Sequence, residues 1–329
     1  MCVRAGLLRT KVASGYQIVG STQHFSAQHP SLRDLIWVVL SPSLLSPLAG
    51  WPAAFDAALN SQSRQRLEHT DPRALDNHLS QRETRFLGSY FEALWEFFFV
   101  HEPRFEIVAR NLQIRDANRT LGELDFVIFD RHTDRHLHLE LAIKFYLGLR
   151  EVNDYPYTDG RHLWVGPQAR DRLDIKLART LEHQLTLSEH PLTQARLREL
   201  GVSAVEPQFL FKGCLFQPDP ALPLPDYVLD ADQHARWFKL ADLVGHLNDS
   251  FTHDAHPWHL LQKRHWPAPP YLDNLSNPLG ARELGTQLQT VIGQTNRPYM
   301  IVQTDYGTPV PQILRRYFVT PDGWPKMHR

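Results

Sequence analysis

Cysteine is nearly missing from this chain. Cys2 and Cys214 are the only two in 329 residues, which excludes a disulfide framework and a four-thiolate zinc site and fits a reducing, cytoplasmic setting. An excess of one charge is missing as well. Lys and Arg number 35 against 36 Asp and Glu, a formal net charge of -1. A nucleic-acid-binding protein of this balance has to gather its positive charge on one surface. Long hydrophobic runs are absent too. The most apolar stretch, Leu35 to Leu48, is broken by Ser41-Pro42 and Ser46-Pro47 and is too short to span a bilayer. Arg4, Arg9 and Lys11 precede no apolar stretch, so neither a secretory leader nor a membrane partner is expected. There is no Gly-rich phosphate loop, no Gly-x-Ser-x-Gly elbow and no helical His-x-x-x-His pair, which removes P-loop, dinucleotide-binding, serine-hydrolase and helical zinc chemistry. Internal repeats and low-complexity blocks are also lacking.

What remains is an ordinary globular composition, 42% hydrophobic and 22% charged, with length for one large core or two smaller ones. Met1 to about Pro30 shows no periodicity and reads as a loose arm. Ser31 to Leu40 is amphipathic. Arg82 to Val100 is the strongest helix, with Phe86, Tyr90, Ala93, Leu94 and Phe97 at helical spacing. Strands are expected at Phe105–Arg110, Glu123–Asp130 and His136–Tyr146, the last two forming a hairpin around a turn at His132-Thr133-Asp134. Asp171–Leu185 is a second helix. Pro207–Phe216 is a strand, with Gly213 at a bulge or close approach. Trp237–Leu247 looks helical, and Pro298–Gln303 with Arg315–Val319 reads as a final strand pair. This order predicts an α/β or α+β fold, a mixed sheet flanked by helices. Three regions follow: an N-terminal arm and helical region at 1–80, a core at 81–217, and a C-terminal extension at 218–329 packing on that core.

Alternate residues of a strand share a face. From His136 to Phe145 one face is Leu137, Leu139, Leu141, Ile143 and Phe145, which must be buried. The other is His136, His138, Glu140, Ala142 and Lys144, and taken alone it describes a half-exposed strand. The partner strand alters that reading. Asp125 stands among strong β formers, where Asp is disfavoured. A buried carboxylate is costly unless it is paired or holds a metal. Across the hairpin Asp125 can approach Glu140, and two such carboxylates repel unless a cation sits between them. Mg²⁺ suits that geometry, with a lysine to steady the attacking water or the developing charge.

Gly122-Glu123-Leu124-Asp125 followed by Glu140-Leu141-Ala142-Ile143-Lys144 resembles the PD-(D/E)XK nuclease superfamily over roughly Arg82 to Phe216. The resemblance implies a restriction-endonuclease-like core and Mg²⁺-dependent (or Mn²⁺-dependent) hydrolysis of DNA or RNA by a metal-activated water. It implies Asp125 and Glu140 as metal ligands, with the Leu141 carbonyl as a third. It also implies Glu92 on the preceding helix as a further acid, with Glu96 in reserve, and Lys144 as the catalytic lysine. In the family pattern the lysine comes two residues after the glutamate, where this chain has Ala142. Lys144 is on the same face but about 6.7 Å further along. The flank Arg316 to Pro325 looks like an uncharacterised bacterial family of unknown function.

Arg172, Lys176, Arg179 and His183 form a basic stripe on the second helix, opposite Leu173, Leu177, Leu181 and Leu185. The stripe is either a solvated face or a track for nucleic-acid phosphates. Gln184 beside it is a core hydrogen-bonding group or a site residue near the metal, with His138 as a second supporting residue; Lys212 is read as structural. Two other functions stay open. The Ala142 departure fits a catalytically weak or inactive module of the same fold that binds nucleic acid or protein. The row His136, His138 and Glu140 fits a His-ligated metal hydrolase.

Overall fold

The computed structural model describes residues 29–117, 119–150, 163–219, 221–229, 235–250, 255–268, 277–305 and 312–325. The expected N-terminal arm, but for its last two residues, lies outside them. The amphipathic stretch forms α1 (Pro30–Leu40). Two short helices follow that the periodicity did not announce, α2 (Ser61–Glu68) and α3 (Pro72–Ser80). Their signals are caps rather than apolar stripes. The Asn60 and Asp71 side chains accept from the Ser63 and Arg73 N–H groups, as N-cap residues do. Helix α4 spans Leu87–His101 and begins five residues later than its periodicity suggested.

The first sheet contains β1 (Ala53–Ala54), β2 (Phe105–Asp116), β3 (Arg119–Asp130), β4 (Arg135–Leu149), β5 (Leu163–Val165) and β6 (Glu206–Phe216). Its order is β1-β6-β4-β3-β2, with β5 also pairing β4. Strands β2, β3 and β4 run antiparallel, whereas β4 and β6 are parallel from Leu137↔Glu206 to Leu147↔Phe216. The β3–β4 turn is fixed by Asp130, which accepts two bonds from Arg104, one from the His132 N–H and one from the Thr133 hydroxyl.

One face of this hairpin behaves as its alternation predicts. Phe126, Ile128, Leu137, Leu139, Ile143 and Phe145 enter the main core with Phe91, Trp95, Phe98 and Phe99 of α4. The other face corrects the half-exposed reading. Helix α5 (Leu173–Arg179), a π-helical turn (Thr180–Gln184) and a 3₁₀ turn (Leu185–Glu189) lie over it, and α6 (Pro191–Glu199) follows them. Leu173, Leu177 and Leu185 pack there on Ala142, Tyr146 and Phe211. The apolar stripe of that segment needs cover, and it finds it on β4 and β6. The middle of the polar row is thereby taken out of water, His138 being 0% and Glu140 2% exposed, while His136 and Lys144 at its ends stay half-buried.

A second sheet, ordered β7-β10-β9-β8, is built from β7 (Ala235–Lys239), β8 (Trp258–Leu261), β9 (Tyr299–Asp305) and β10 (Gln312–Thr320). The final strand pair is thus antiparallel β9 and β10. The stretch read as a helix from Trp237 is in part a strand. Trp237 belongs to β7, which pairs parallel with β10, and α7 begins only at Leu240 (Leu240–Ser250). With α8 (Ala281–Thr295), α7 buries Leu243, Leu247, Leu284, Leu288 and Ile292 against Ile301 and Val319. Met300, Val302, Phe318 and Trp266 instead join the main core, where the Phe318 ring lies 4.6 Å from that of Phe216 and the Trp266 ring 5.6 Å from that of Phe145. The architecture is α/β, two mixed sheets flanked by helices.

Candidate functional site

Strands β3 and β4 pair from Asp130↔Arg135 to Phe126↔Leu139 and then part. Asp125 and Glu140 are the next residues on each strand, so they stand at the fork. There the Leu141 N–H donates to Asp125 Oδ2 at 2.8 Å. Glu140 is held at both oxygens. His138 Nε2 lies 3.0 Å from Oε1, and the Gln184 amide donates to Oε2 at 2.6 Å. The Gln184 carbonyl oxygen accepts from Lys176 Nζ at 2.7 Å and from the Thr180 hydroxyl at 3.0 Å. Gln184 ends the π-helical turn, a rare conformation that occurs often at functional sites.

The electrostatics are those of uncompensated carboxylates. Burial pushes Asp125 up to about 7, the Glu140 charge adds to it, and the Leu141 N–H and Lys176 oppose it. Burial likewise pushes Glu140 up to about 7, opposed first by Lys176 and reinforced by Glu123 and Glu92. Glu92, on α4, is raised to about 7 by burial and then by Asp125, against Arg110. Glu92, Asp125 and Glu140 therefore sense one another across one region. Glu123, which acts on both Glu92 and Glu140, belongs to the same neighbourhood and was missed in the sequence. Its position, one alternation from Asp125 in the Gly-Glu-Leu-Asp run, was the available signal. His138 is pushed down to about 4 by burial, so it is a neutral hydrogen-bonding partner of Glu140 above that pH.

Glu96 is elsewhere engaged. Arg82 donates two bonds to it at 2.8 and 2.9 Å, Arg110 Nη1 lies 2.8 Å away, and His78 Nε2 lies at 3.5 Å. These partners hold its carboxyl below the usual range despite burial. Glu96→Ala would strand two guanidiniums, so it is expected to destabilise the protein by about 2–4 kcal/mol in urea titration.

The lysines divide differently from the sequence pattern. Lys144 does not join the carboxylates; its ammonium donates to Asp171 Oδ2 at 2.9 Å. The basic stripe also splits. Lys176 turns inward to Gln184, Arg172 pairs with Asp174, and Arg179 and His183 are exposed. Lys212 is buried and donates to the Ser41 carbonyl at the C-terminal end of α1. The histidine row does not converge either, because the His136 ring lies 4.9 Å from that of Phe129 while His138 bonds Glu140. Among the described residues no three His, Cys, Asp or Glu side chains are grouped to hold a metal ion. A cation at the fork would therefore rest on two side-chain ligands, with water, backbone or substrate oxygens completing its shell. No helix among the described residues is long and apolar enough to cross a membrane.

The family model of a domain of unknown function, DUF1853, matches residues 33–320. The chain belongs to this family. The match runs from α1 to the end of β10, so the carboxylate fork, the covering α5 segment and the second sheet all fall within it. No curated protein and no solved structure matches the chain.

Proposed function

We propose that this protein is a divalent-metal-dependent phosphodiesterase that hydrolyses DNA or RNA on a PD-(D/E)XK-like core. The observation that carries the reading is the fork itself: half-buried Asp125 and buried Glu140, adjacent and both raised to about 7, with Glu92 beside them. Their hydrogen-bond donors orient these carboxylates without neutralising them, and this is how a hard-cation site is prepared. Mg²⁺ is bound by as few as one or two carboxylates with water and substrate phosphate, and Mn²⁺ accepts the same oxygen ligands. Asp125 and Glu140 would hold the ion, with the Leu141 carbonyl and Glu92 as neighbouring oxygens. When bound, such an ion supplies an activated water and draws charge from the phosphate. The chain's own groups do the rest. Glu92, poised near neutrality, takes the proton of the attacking water. The water oxygen bonds to phosphorus as the bond to the leaving oxygen breaks, and that oxygen takes a proton from solvent. Gln184 and His138 keep the Glu140 carboxylate in one orientation throughout.

The test is incubation of the full-length protein with single- and double-stranded DNA and RNA in Mg²⁺ or Mn²⁺, with metal titration alongside. Cleavage that EDTA abolishes is expected. Metal binding without cleavage would favour the second reading, a binding module of the same fold, for which Ala142 in place of the family lysine is the specific observation. Absence of both cleavage and metal binding at millimolar concentration rules the proposal out.

A further inference from the structure

We infer that the ammonium serving the scissile phosphate at this fork is that of Lys176, delivered from α5 across the sheet face rather than from β4. The inference rests on the phosphodiesterase reading. Three observations carry it. First, the ammonium lies over the sheet face that carries Ala142. Ala142 pairs with Phe211 in the β4–β6 ladder, and Lys176 Nζ lies 5.9 Å from the Phe211 ring centroid. Ala142 also packs in one cluster with Leu173 and Leu177, which bracket Lys176 on α5. Second, a single amide joins this ammonium to the metal-ligand candidate, since Gln184 accepts from Lys176 at 2.7 Å and donates to Glu140 at 2.6 Å. Third, Lys144 is already spoken for by Asp171.

The chemistry follows from the partner Lys176 has. Its direct hydrogen bond is to a neutral amide oxygen, not to a carboxylate. A charge-assisted bond to a phosphate oxygen is roughly twice as strong as one between neutral groups, so an incoming phosphodiester can draw the ammonium off Gln184. Lys176 then donates to a non-bridging oxygen and keeps its proton throughout, while its flexible stem allows the short swing. A point charge held in a partly buried site is also the form of catalytic help that gains most from exclusion of water.

The experiment compares Lys176→Met, Lys176→Gln and Lys144→Met in the full chain, with thermal melts as the check on folding; Lys176→Gln keeps a donor for Gln184 if Lys176→Met unfolds. Cleavage rate and Mn²⁺ affinity are measured together. Loss of a transition-state contact should lower kcat about a hundredfold or more in both Lys176 variants, with Mn²⁺ affinity within about threefold of wild type. Lys144→Met should stay within about threefold in kcat. A Lys176 variant that cleaves like wild type, or a Lys144 variant that loses as much, overturns the assignment. Failure of the phosphodiesterase reading would show separately, as a wild-type protein that does not cleave. The lysine is then read from binding of a phosphorothioate oligonucleotide, which must weaken at least about tenfold in Lys176→Gln and not in Lys144→Met; equal binding by the two also overturns it.

Discussion

Replacing Asp125 with asparagine is expected to act in two opposite directions, cutting metal-dependent cleavage at least about a thousandfold while making the metal-free protein more stable at pH 8. The first effect is loss of a charged oxygen ligand. The second follows from what surrounds the carboxylate. Asparagine keeps an oxygen to accept the Leu141 N–H but removes a charge that burial and Glu140 both oppose. In the folded chain the Asp125 carboxyl is raised from its ordinary value of 3.8 to about 7. The folded state therefore binds this proton more tightly than the unfolded one does. Its contribution is fully present below about pH 4 and is lost as the pH rises through about 7, so stability falls with rising pH across that window. Glu92 and Glu140 act in the same direction. Urea denaturation in EDTA at pH 5 and pH 8 should show the wild type losing stability at the higher pH. Asp125→Asn should recover on the order of 1–2 kcal/mol there, after allowance for partial solvent screening. Added Mn²⁺ should stabilise the wild type more at pH 8 than at pH 5, because the ion competes with protons for the same oxygens. A stability difference between wild type and Asp125→Asn that does not grow from pH 5 to pH 8 would mean that this carboxylate is compensated, and the metal site would lose its main support.

The hairpin was legible because both of its signals are local. A carboxylate among β formers and a strict two-residue alternation need no knowledge of the rest of the chain, and they located Asp125, Glu140 and the apolar face that meets α4. Legibility ended where a side chain's role depends on a distant segment. Nothing within His136 to Lys144 says that α5 will cover its polar row, so Glu140 read as half exposed and is in fact buried. Nothing near Lys144 says that Asp171 will capture it. Lys176 was visible only as one member of a basic stripe, because a 3.6-residue period cannot tell a cation turned to water from one turned to a carboxylate fork. The π-helical turn that brings Gln184 to Glu140 breaks that period altogether. In the second sheet, Trp237 to Leu247 carries apolar residues that suit either period. Pairing of β7 with β10, more than seventy residues away, decided the strand. Helices α2 and α3 were missed for the opposite reason, since their evidence is capping chemistry at Asn60 and Asp71 rather than an apolar stripe.

Gly213→Ala is expected to destabilise the protein by about 3 kcal/mol or more and to disturb the site with it. Gly213 has φ +137°, a region that side chains other than glycine's rarely enter. It pairs with Lys144 in the parallel β4–β6 ladder, and a Cβ there would lie 1.7 Å from the Lys144 carbonyl oxygen. The obstruction is backbone in the middle of a sheet packed on both faces, so it cannot turn aside as a side chain would. Gly122 provides the contrast within the same sheet. A Cβ at that position would meet only the end of the Leu187 side chain, at 2.6 Å, which can rotate, so Gly122→Ala should cost about 1 kcal/mol. Paired urea titrations measure both, and equal losses would refute the close-approach argument. The consequence for function comes from the register. Glu140 and Ala142 lie on the strand that Gly213 lets β6 approach, four and two residues from the contact. Forcing β4 and β6 apart at Lys144 moves the floor on which α5 rests, and with it the amide that reaches Glu140 and the ammonium bonded to that amide. A Gly213→Ala protein that remains folded should therefore bind Mn²⁺ more weakly than wild type although no ligand has been changed, as expected where the supporting ladder, and not the carboxylates alone, sets the geometry of the fork.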